Sequence, residues 1–424
     1  MTTPGLRMLA LSPVPEEGAG CRFRIAQYVP ALEAAGVQVT ISPFFTREFF
    51  DLVYRNGHHV RKAALFTRRA LDRVHSLFLR HRYDILYIYR EAFPVGPAVL
   101  ETLFARTPGL TILYDFDDAV FLPNTSEANR PIAALKWPSK VRTIVSRSDA
   151  VIAGNEYLAD YARRYSGRVR VIPTCVDTTK FVPRADARSG ASDSARDPVV
   201  GWIGTPTTAP YLQALQPVLQ EVARTHRFVL RVCGAGSPLR IPGVTVEHRP
   251  WTLDSEVALF NTCDIGVYPL TDDEWARGKC GFKAIQFMAC GVPVVAAPVG
   301  VNRDIVEDGV NGLLASTPAE WIEKLRRLLA DPALRATLGA RGRRTIEERY
   351  SLDVNAPKMV DAVLDAVSAS DRARSSRRAW RAWRASPESH RCDVLFLIRA
   401  RTAPAARASA NARARRAGVG PRER

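Results

Sequence analysis

Residues 278–314 constrain the fold of this 424-residue chain more than any other stretch. Gly278 to Phe282 is typical of a glycine-containing loop. Lys283 to Cys290 is typical of a short helix whose apolar positions can face a core. The apolar, β-branched run from Val292 to Ala297 predicts a buried parallel strand, followed by a loop at its carboxyl end. Ligands of open α/β sheets bind at such strand ends, and helix starts favour phosphate. The stretch therefore predicts a ligand site in a parallel α/β sheet.

The rest of the chain repeats this alternation of strand and helix. Arg7 to Ser12 predicts a first strand, followed by a loop that contains Gly18 and Gly20 and by a helix from about Arg22. A second series of strands and helices begins at Val199. Strands that alternate with helices favour a parallel sheet, and this length is too great for one core. The sequence therefore predicts two α/β domains.

Three motifs resemble a known enzyme family. Phe287 to Val295, which spells FMACGVPVV, closely resembles the donor-sugar signature of the GT-B glycosyltransferases, in particular the retaining family 4. Gly154-Asn155 and Pro173 to Asp177 resemble the end of a family 4 N-terminal domain, and Asn311 to Leu314 resembles the family's G-x-x-G-L-L turn. The resemblance covers about residues 6–367. It implies the GT-B fold, with two Rossmann-like doubly wound domains facing each other across a cleft.

The resemblance and the composition together divide the chain. We predict an acceptor-side domain over 1–183, a polar linker over 184–197 and a nucleotide-sugar-binding domain over 198–350. A crossover helix is expected over 351–369, and a disordered Arg- and Ala-rich tail over 370–424. Most of the net charge of +17 comes from the arginines of this tail.

The resemblance implies that the second domain binds the donor, although several charged residues of the family are missing. Gln286 stands where the second glutamate of the family's Glu-x7-Glu holds the ribose, and the first falls on Gly278. Lys279 and Lys283 could neutralise a diphosphate in place of an absent Arg/Lys pair, or could be solvated surface lysines. The predicted donor-binding residues are Gly204, Thr205, Lys279, Lys283, Gln286, Gly300, Val301 and Asn302.

Three carboxylates cluster after the strand Thr111 to Tyr114 of the first domain. Such crowding is costly unless a cation or a reaction uses the charges. We predict Asp115 and Asp117 as catalytic residues near the reacting hydroxyl, with helix capping or structural salt bridges as the alternative. The predicted acceptor-side residues are Gly20, Arg24, Arg90 and Asp118. Because the resemblance points to metal-independent enzymes, the Asp-x-Asp pattern is not assigned a metal, and no cofactor is expected.

Residues 51–82 combine eight lysines and arginines with only two acids, Asp51 and Asp72. Four apolar residues give the segment an apolar side and favour an amphipathic basic helix: Leu65, Leu71, Val74 and Phe78. Such a helix either meets anionic lipid, or a lipid-diphosphate acceptor, at a membrane surface, or covers the sheet as a solvated helix. Peripheral membrane contact is therefore an expected partner interaction, whereas specific nucleic-acid binding is not expected.

The seven cysteines are scattered and form no C-x-x-C pair, which argues against a zinc site or a disulfide framework. No apolar run approaches the roughly 18–20 residues of a membrane span. Residues 6–14 are apolar but too short for a signal peptide and predict a strand. The expected location is the cytoplasm, with the inner face of the membrane as an option.

The predicted function is transfer of a sugar from a nucleotide-diphosphate sugar to a hydroxyl of a glycan, lipid-linked or small-molecule acceptor. The resemblance implies a retaining, metal-independent reaction in polysaccharide or glycoconjugate biosynthesis. Two alternatives stay open. One is a nucleotide-sugar epimerase of GT-B shape, and the other is a non-catalytic scaffold that binds nucleotide sugars, which the missing Glu-x7-Glu makes credible.

Overall fold

The structure is a computed structural model that describes residues 5–53, 57–123, 135–184 and 196–385. It contains two six-stranded sheets in which every strand pair is parallel. Both sheets lie in one unit of the chain, which ends at Ser368. The predicted α/β fold class with two doubly wound domains is thereby confirmed.

The first sheet has the strand order β2-β1-β3-β4-β5-β6. Its strands are β1 Leu6–Ser12, β2 Val37–Pro43, β3 Ile85–Tyr89, β4 Thr111–Phe116, β5 Ala150–Ala153 and β6 Val169–Val171. Its helices are α1 Ala19–Arg24, α2 Val29–Ala34, α3 Arg47–Val53, α4 His59–Phe78, α5 Val99–Ala105, α6 Lys140–Arg147 and α7 Glu156–Arg163, with short 3₁₀ turns at Ala26–Tyr28 and Arg80–Arg82. The order reverses between β1 and β3, so a crevice opens at their carboxyl ends.

The second sheet has the order β12-β11-β10-β7-β8-β9. Its strands are β7 Val199–Ile203, β8 Val229–Cys233, β9 Thr245–Arg249, β10 Ile265–Tyr268, β11 Val294–Ala296 and β12 Leu313–Leu314. Its helices are α8 Ala209–Ala214, α9 Gln216–Ala223, α10 Glu256–Asn261, α11 Glu274–Arg277, α12 Phe282–Ala289, α13 Asn302–Ile305, α14 Pro318–Ala330 and α15 Pro332–Thr345, followed by a π-helical turn at Ile346–Tyr350. This is the dinucleotide-binding strand order, with its crevice between β7 and β10.

Apolar side chains cover both faces of each sheet. Along β1, for example, Leu9 and Leu11 join one buried cluster while Met8 and Ala10 join the opposite one. This alternation follows from the two-residue period of a strand. Parallel strands need covering on both sides, which explains why the strands are almost entirely apolar.

The last helix of the described residues, α16 Leu352–Ala385, returns to the first domain. Its residues Met359 and Val363 are buried in the same cluster as Ile25 and Tyr28. The helix extends past residue 369, where the predicted crossover helix ended, so residues 370–385 are helical where the sequence predicted disorder. Most of the predicted linker and the tail beyond residue 385 lie outside the described residues, and the predicted domain boundaries stay predictions.

Candidate active site

A cleft of about 710 Å³ lies where the carboxyl ends of the two sheets meet. The first domain contributes the loops after β1, β3 and β4 to its walls, and the second domain contributes the loops after β7 and β10 and the start of α12. Eight of the predicted site residues line it: Gly20, Arg90, Asp117, Asp118, Gly204, Thr205, Lys279 and Lys283. The fold therefore brings predicted donor-side and acceptor-side residues to one cavity.

Asp115 lies beneath the cleft and does not line it. Its carboxylate is wholly buried and accepts hydrogen bonds from Arg24 at 2.5 and 2.9 Å and from the Tyr87 hydroxyl at 2.6 Å. Burial alone would lower the pKa of Arg24, but the adjacent carboxylate outweighs burial and holds that pKa well above its ordinary value. The Arg24 guanidinium is therefore charged, and its hydrogen bonds to Asp115 join α1 to β4. This position fits the structural salt bridge that the sequence left open, whereas the predicted catalytic role of Asp115 and the acceptor contact of Arg24 gain no support.

Asp117 and Asp118 face the cleft and are held by Arg90. The Arg90 guanidinium donates to Asp117 at 2.8 Å and to Asp118 at 2.5 Å, and the Tyr89 hydroxyl donates to Asp117 at 2.7 Å. Burial alone would raise the pKa of Asp117, but Arg90, Arg24 and these hydrogen bonds outweigh it and hold the pKa below its ordinary value. Asp117 is therefore an ionised carboxylate on the cleft wall at neutral pH.

The backbone at Arg90 has a conformation that side chains other than glycine rarely adopt, with a φ of 60°. The residue follows β3 directly, and its N–H donates to the carbonyl of Asp115 at 2.7 Å. The hydroxyl of Tyr114 donates to its carbonyl at 2.9 Å. Strained backbone persists only where surrounding contacts fix it, and such positions concentrate at functional sites.

On the donor side, four side chains form a chain of hydrogen bonds that crosses between the domains. Lys283 donates to Gln286 at 2.8 Å, Gln286 donates to Glu256 at 3.2 Å, and Arg22 of the first domain donates to Glu256 at 2.8 Å. Gln286 is fully buried. Its amide oxygen accepts from Lys283, and its predicted contact with a ribose stays a prediction. The cluster contains two cations and one carboxylate, so it carries a net positive charge while Lys283 is protonated.

The loop after β7 lines the cleft with threonine hydroxyls. Thr205 and Thr207 share a hydrogen bond of 2.8 Å, and the N–H of Thr205 donates to the Thr208 hydroxyl at 2.9 Å. Gly204 has no room for a side chain, because an added Cβ would overlap the Trp202 ring. The loop supplies polar groups but no charge, so cations for an anionic ligand must come from elsewhere.

Three predicted donor residues, Gly300, Val301 and Asn302, do not line the cleft. Asn302 is 1% exposed and donates to the carbonyl of Ala297 at 2.9 Å, across the loop that follows β11. Its side chain and that of Val301 lie directly behind Gly281, at the start of α12. These residues pack behind the start of α12, which carries Lys283, and their predicted contact with the donor stays a prediction.

Gly278, which stands where the family motif has its first glutamate, has no room for a side chain. A Cβ on Gly278 would stand 2.6 Å from the Cβ of Ala119 in the first domain. Asn155, the N-cap of α7, donates to the carbonyls of Gly278 and Lys279 at 3.1 and 3.0 Å. The two domains therefore touch at a point where any larger side chain would separate them.

Replacing Gly278 with alanine should destabilise this contact by about 1–3 kcal/mol, the usual cost of overpacking. Thermal unfolding of the purified variant measures it. Gly167→Ala is the matched control, because a Cβ there meets nothing within 4 Å and its φ is not positive. Equal melting temperatures for both variants would show that the contact between Gly278 and Ala119 does not hold the domains.

The sequence did not identify Glu256 or Asn155 as site residues. Glu256 begins α10, and its partner Arg22 lies 234 residues away, so no local pattern marks the pair. The sequence marks Asn155 only as part of the Gly154-Asn155 motif, although an Asn before a helix is an N-cap signal. Its second role, the bridge to the other domain, appears only in three dimensions.

Comparison with known families matches both domains. Residues 20–180 match the family described as Glycosyltransferase Family 4, and residues 197–331 match Glycosyl transferases group 1. The two matches together cover most of the chain. The chain belongs to glycosyltransferase family 4. The recognition made from the sequence motifs is confirmed.

Curated relatives of this family 4 chain include D-inositol 3-phosphate glycosyltransferases. The one from Salinispora arenicola is 33% identical over 260 residues, which is 53% of this chain and 57% of the relative. The one from Nocardiopsis dassonvillei is 26% identical over 303 residues, which is 64% of this chain and 68% of the relative. The chain thus spans little more than half the length of the Salinispora protein.

Solved structures share the fold. Sucrose-phosphate synthase from Thermosynechococcus elongatus aligns with a TM-score of 0.62 at 18% identity, over 86% of this chain and 100% of that chain. Anabaena HepE in complex with UDP-glucose aligns with a TM-score of 0.56 at 18% identity, over 85% and 100% of the two chains. These neighbours establish the GT-B architecture of the family 4 chain.

Proposed function

We propose that this protein transfers a sugar from a nucleotide-diphosphate sugar to an acceptor hydroxyl. One observation carries the proposal: a single cleft is lined by two lysines of the second domain and by an ionised carboxylate of the first domain, with the Lys279 ammonium 3.9 Å from Asp118. A diphosphate needs the cations, and a sugar that loses it develops positive charge, which the carboxylate stabilises. A scaffold that only binds nucleotide sugars would need the lysines but not the carboxylate.

Lys279, Lys283 and Arg22 are the proposed partners of the donor diphosphate. Lys279 and Lys283 line the cleft at the start of α12, whose free N–H groups also favour an anion. Arg22 approaches the same region from the first domain through Glu256. The complex of HepE with UDP-glucose, a protein of the same fold, supports a nucleotide sugar as the donor.

The proposed chemistry begins as the bond between the sugar and the diphosphate lengthens. The lysines stabilise the negative charge that collects on the departing diphosphate. Asp117 stabilises the positive charge at the sugar carbon, because Arg90 and Tyr89 fix its carboxylate and keep it ionised. The acceptor hydroxyl attacks that carbon and releases its proton to the leaving diphosphate.

Retention of configuration and independence from metal ions are further parts of the proposal. Metal independence is supported by the bonds of Asp117 and Asp118 to Arg90, which already supplies a cation to both carboxylates. The names of the curated relatives make a phosphorylated cyclitol one acceptor to test, beside glycans and lipid-linked sugars. Six described cysteines are buried free thiols, which supports the proposed cytoplasmic location.

The proposal is tested by incubating the protein with UDP-, GDP- and ADP-sugars and candidate acceptors, with and without a chelator. We expect release of nucleotide that depends on the acceptor and is unchanged by the chelator. The anomeric configuration of the product, read by NMR, tests retention. Sugar isomerisation without an acceptor would support the epimerase, and nucleotide binding without any turnover would support the scaffold.

Nucleotide affinity should fall as the pH rises through about 8. Burial lowers the pKa of Lys283 to about 8, although Glu256 acts in the opposite direction. The lysine is charged below that pH and neutral above it, so a diphosphate loses one cation as the pH rises. Calorimetric titrations with a nucleoside diphosphate at a series of pH values measure the effect.

Lys283→Arg is the control for this pH dependence, because arginine keeps its charge throughout the range. We expect a flat affinity profile for that variant. A wild-type profile that is flat between neutral and alkaline pH, or an unchanged slope in Lys283→Arg, would show that Lys283 does not contact the diphosphate.

A further inference from the structure

Helix α4 carries an apolar face that no other element among the described residues covers. Val60, Leu71, Val74 and Phe78 recur at helical spacing on one side of the helix and are 86%, 65%, 40% and 70% exposed. We call these four residues the outer stripe. Leu65, which the sequence grouped with them, points elsewhere and is half-buried. Large apolar side chains in a row on the solvent side of a helix indicate an interaction surface.

The opposite side of α4 attaches the helix to its domain. Phe66 packs edge-on against Phe44 and Phe93, with ring centroids 5.3 and 5.7 Å apart. Arg73 is 3% exposed and donates to the carbonyl of Ser42 at 3.0 Å, at the carboxyl end of β2. Because these contacts already anchor the helix, the outer stripe is not needed for packing.

The apolar exposure is concentrated in this part of the molecule. Among the described residues, twelve large hydrophobic side chains are exposed, and eight of them lie on α4, on the adjacent α5 or in the segment 135–137. Val99 and Leu103 stand one turn apart on α5. Leu135 and Trp137 lie close by, since the carbonyl of Leu135 accepts from Gly96 just before α5. The other four are scattered over the rest of the described chain.

Basic side chains accompany the outer stripe. Arg61, Arg68 and His75 are exposed along one edge of it. The only acid on the helix is Asp72, which pairs with Arg69. Arg61 also contacts Glu48, but both partners are more than half exposed, so the pair is weak. A row of apolar side chains beside basic side chains is complementary to a surface that has an apolar interior and a negatively charged outer layer.

We propose that the outer stripe of α4 docks the protein on a membrane that contains anionic lipids. The apolar residues enter the boundary between headgroups and acyl chains, and Arg61 and Arg68 meet the lipid phosphates. A second copy of the chain is a poor occupant, because each copy would present the same basic edge. The described residues include no helix that is long and apolar enough to cross a membrane, so the contact is peripheral.

Docking in this way brings the cleft close to the lipid. Arg73 of α4 reaches the carbonyl of Ser12 at the carboxyl end of β1, and Val14, two residues further on, lines the cleft. If the proposed transferase function holds, this placement favours an acceptor that is itself held in the membrane. Vesicle binding requires no turnover, so the docking surface and the transferase function can fail separately.

The test is flotation of the full chain with vesicles, scored as the vesicle-bound fraction over a lipid titration. Vesicles of phosphatidylcholine alone are compared with vesicles that also contain phosphatidylglycerol. The double variant L71S/F78S removes apolar area without changing charge, and L253S/V310S does the same at exposed sites on the second domain. All four side chains are exposed, so each variant should fold, which thermal unfolding verifies.

We expect the wild type and L253S/V310S to bind the phosphatidylglycerol vesicles alike, and L71S/F78S to bind on the order of tenfold or more weakly. Equal binding of all three proteins would overturn the proposal, because the Arg-rich tail or another surface would then hold the lipid. No binding by the wild type would overturn it as well. So would a wild-type dimer that L71S/F78S abolishes in light scattering, since the stripe would then face a second copy.

Discussion

Replacing Arg24 with methionine is expected to lower the free energy of unfolding by about 3–5 kcal/mol, the usual cost of leaving one buried charge without its partner. Arg24 and Asp115 are both fully buried and pair through two hydrogen bonds, and the Arg24 guanidinium also donates to the carbonyl of Ile172 at 2.8 Å. Methionine fills much of the space but leaves the Asp115 carboxylate without its counter-ion. Chemical denaturation of the purified protein measures the loss.

Arg7→Met is the matched control in the same domain. Arg7 pairs with Asp84 at 3.8 Å, and both side chains are about half exposed, so the variant should stay within about 0.5 kcal/mol of the wild type. The double variant R24M/D115L should recover part of the loss, because it removes both charges together. Comparable stabilities for Arg24→Met and Arg7→Met would contradict a buried ion pair at this position.

Asp117→Asn is expected to reduce turnover by roughly 10²–10³-fold, the usual effect of removing one group that stabilises charge in a transition state. The amide keeps the shape of the side chain but lacks the negative charge that Arg90 and Tyr89 fix toward the cleft. Nucleotide affinity should change less than turnover, since Asp117 is bonded to Arg90 and Tyr89, whereas Lys279 lies beside Asp118. Steady-state kinetics together with a nucleotide titration separate the two effects.

Asp272→Asn serves as the control, because this carboxylate lies outside the cleft and pairs with Arg277 on the surface of the second domain. Its turnover should equal that of the wild type. An Asp117→Asn variant that loses nucleotide affinity and turnover in parallel would place Asp117 in donor binding instead. Unchanged turnover would remove it from the reaction.

Much of the fold could be predicted because its signals are local. The strand predicted from Arg7 to Ser12 is Leu6–Ser12 in the structure, and the helix predicted from Lys283 to Cys290 is Phe282–Ala289. Apolar β-branched runs bounded by glycine, and apolar residues at helical spacing, depend only on neighbouring residues. The family resemblance added the arrangement of the two sheets, which neighbouring residues do not encode.

The carboxylates after β4 show how a small error at an element's end changes a functional interpretation. The sequence pattern predicts that this strand ends at Tyr114 and that Asp115 lies in the following loop. In the structure, β4 extends to Phe116. Because side chains alternate along a strand, Asp115 shares the face of Leu113, which is buried against the helices of the first domain. Asp117 is the first carboxylate beyond the strand and the first to reach the cleft.

Interactions between distant residues set the remaining features of the site. Gln286 was predicted to bind ribose, but Lys283 occupies its amide oxygen and Glu256 accepts from its amide nitrogen. A single sequence does not reveal which acid meets which amide across such a separation. Similarly, the outer stripe of α4 became visible only when the structure showed which side of the amphipathic helix was covered.

The most direct test of the donor site is a thermal-shift panel of the full chain with UDP, GDP, ADP, TDP and CMP. A nucleotide that binds only the folded state stabilises it by about 2.7 kcal/mol at one hundred times its dissociation constant. We predict that one nucleoside diphosphate raises the melting temperature of the wild type and of Lys180→Ala, whose lysine is 76% exposed outside the cleft, and that Lys283→Ala reduces the shift. No stabilisation at millimolar concentrations, or an equal shift in Lys283→Ala, would contradict a nucleotide-diphosphate site at the start of α12.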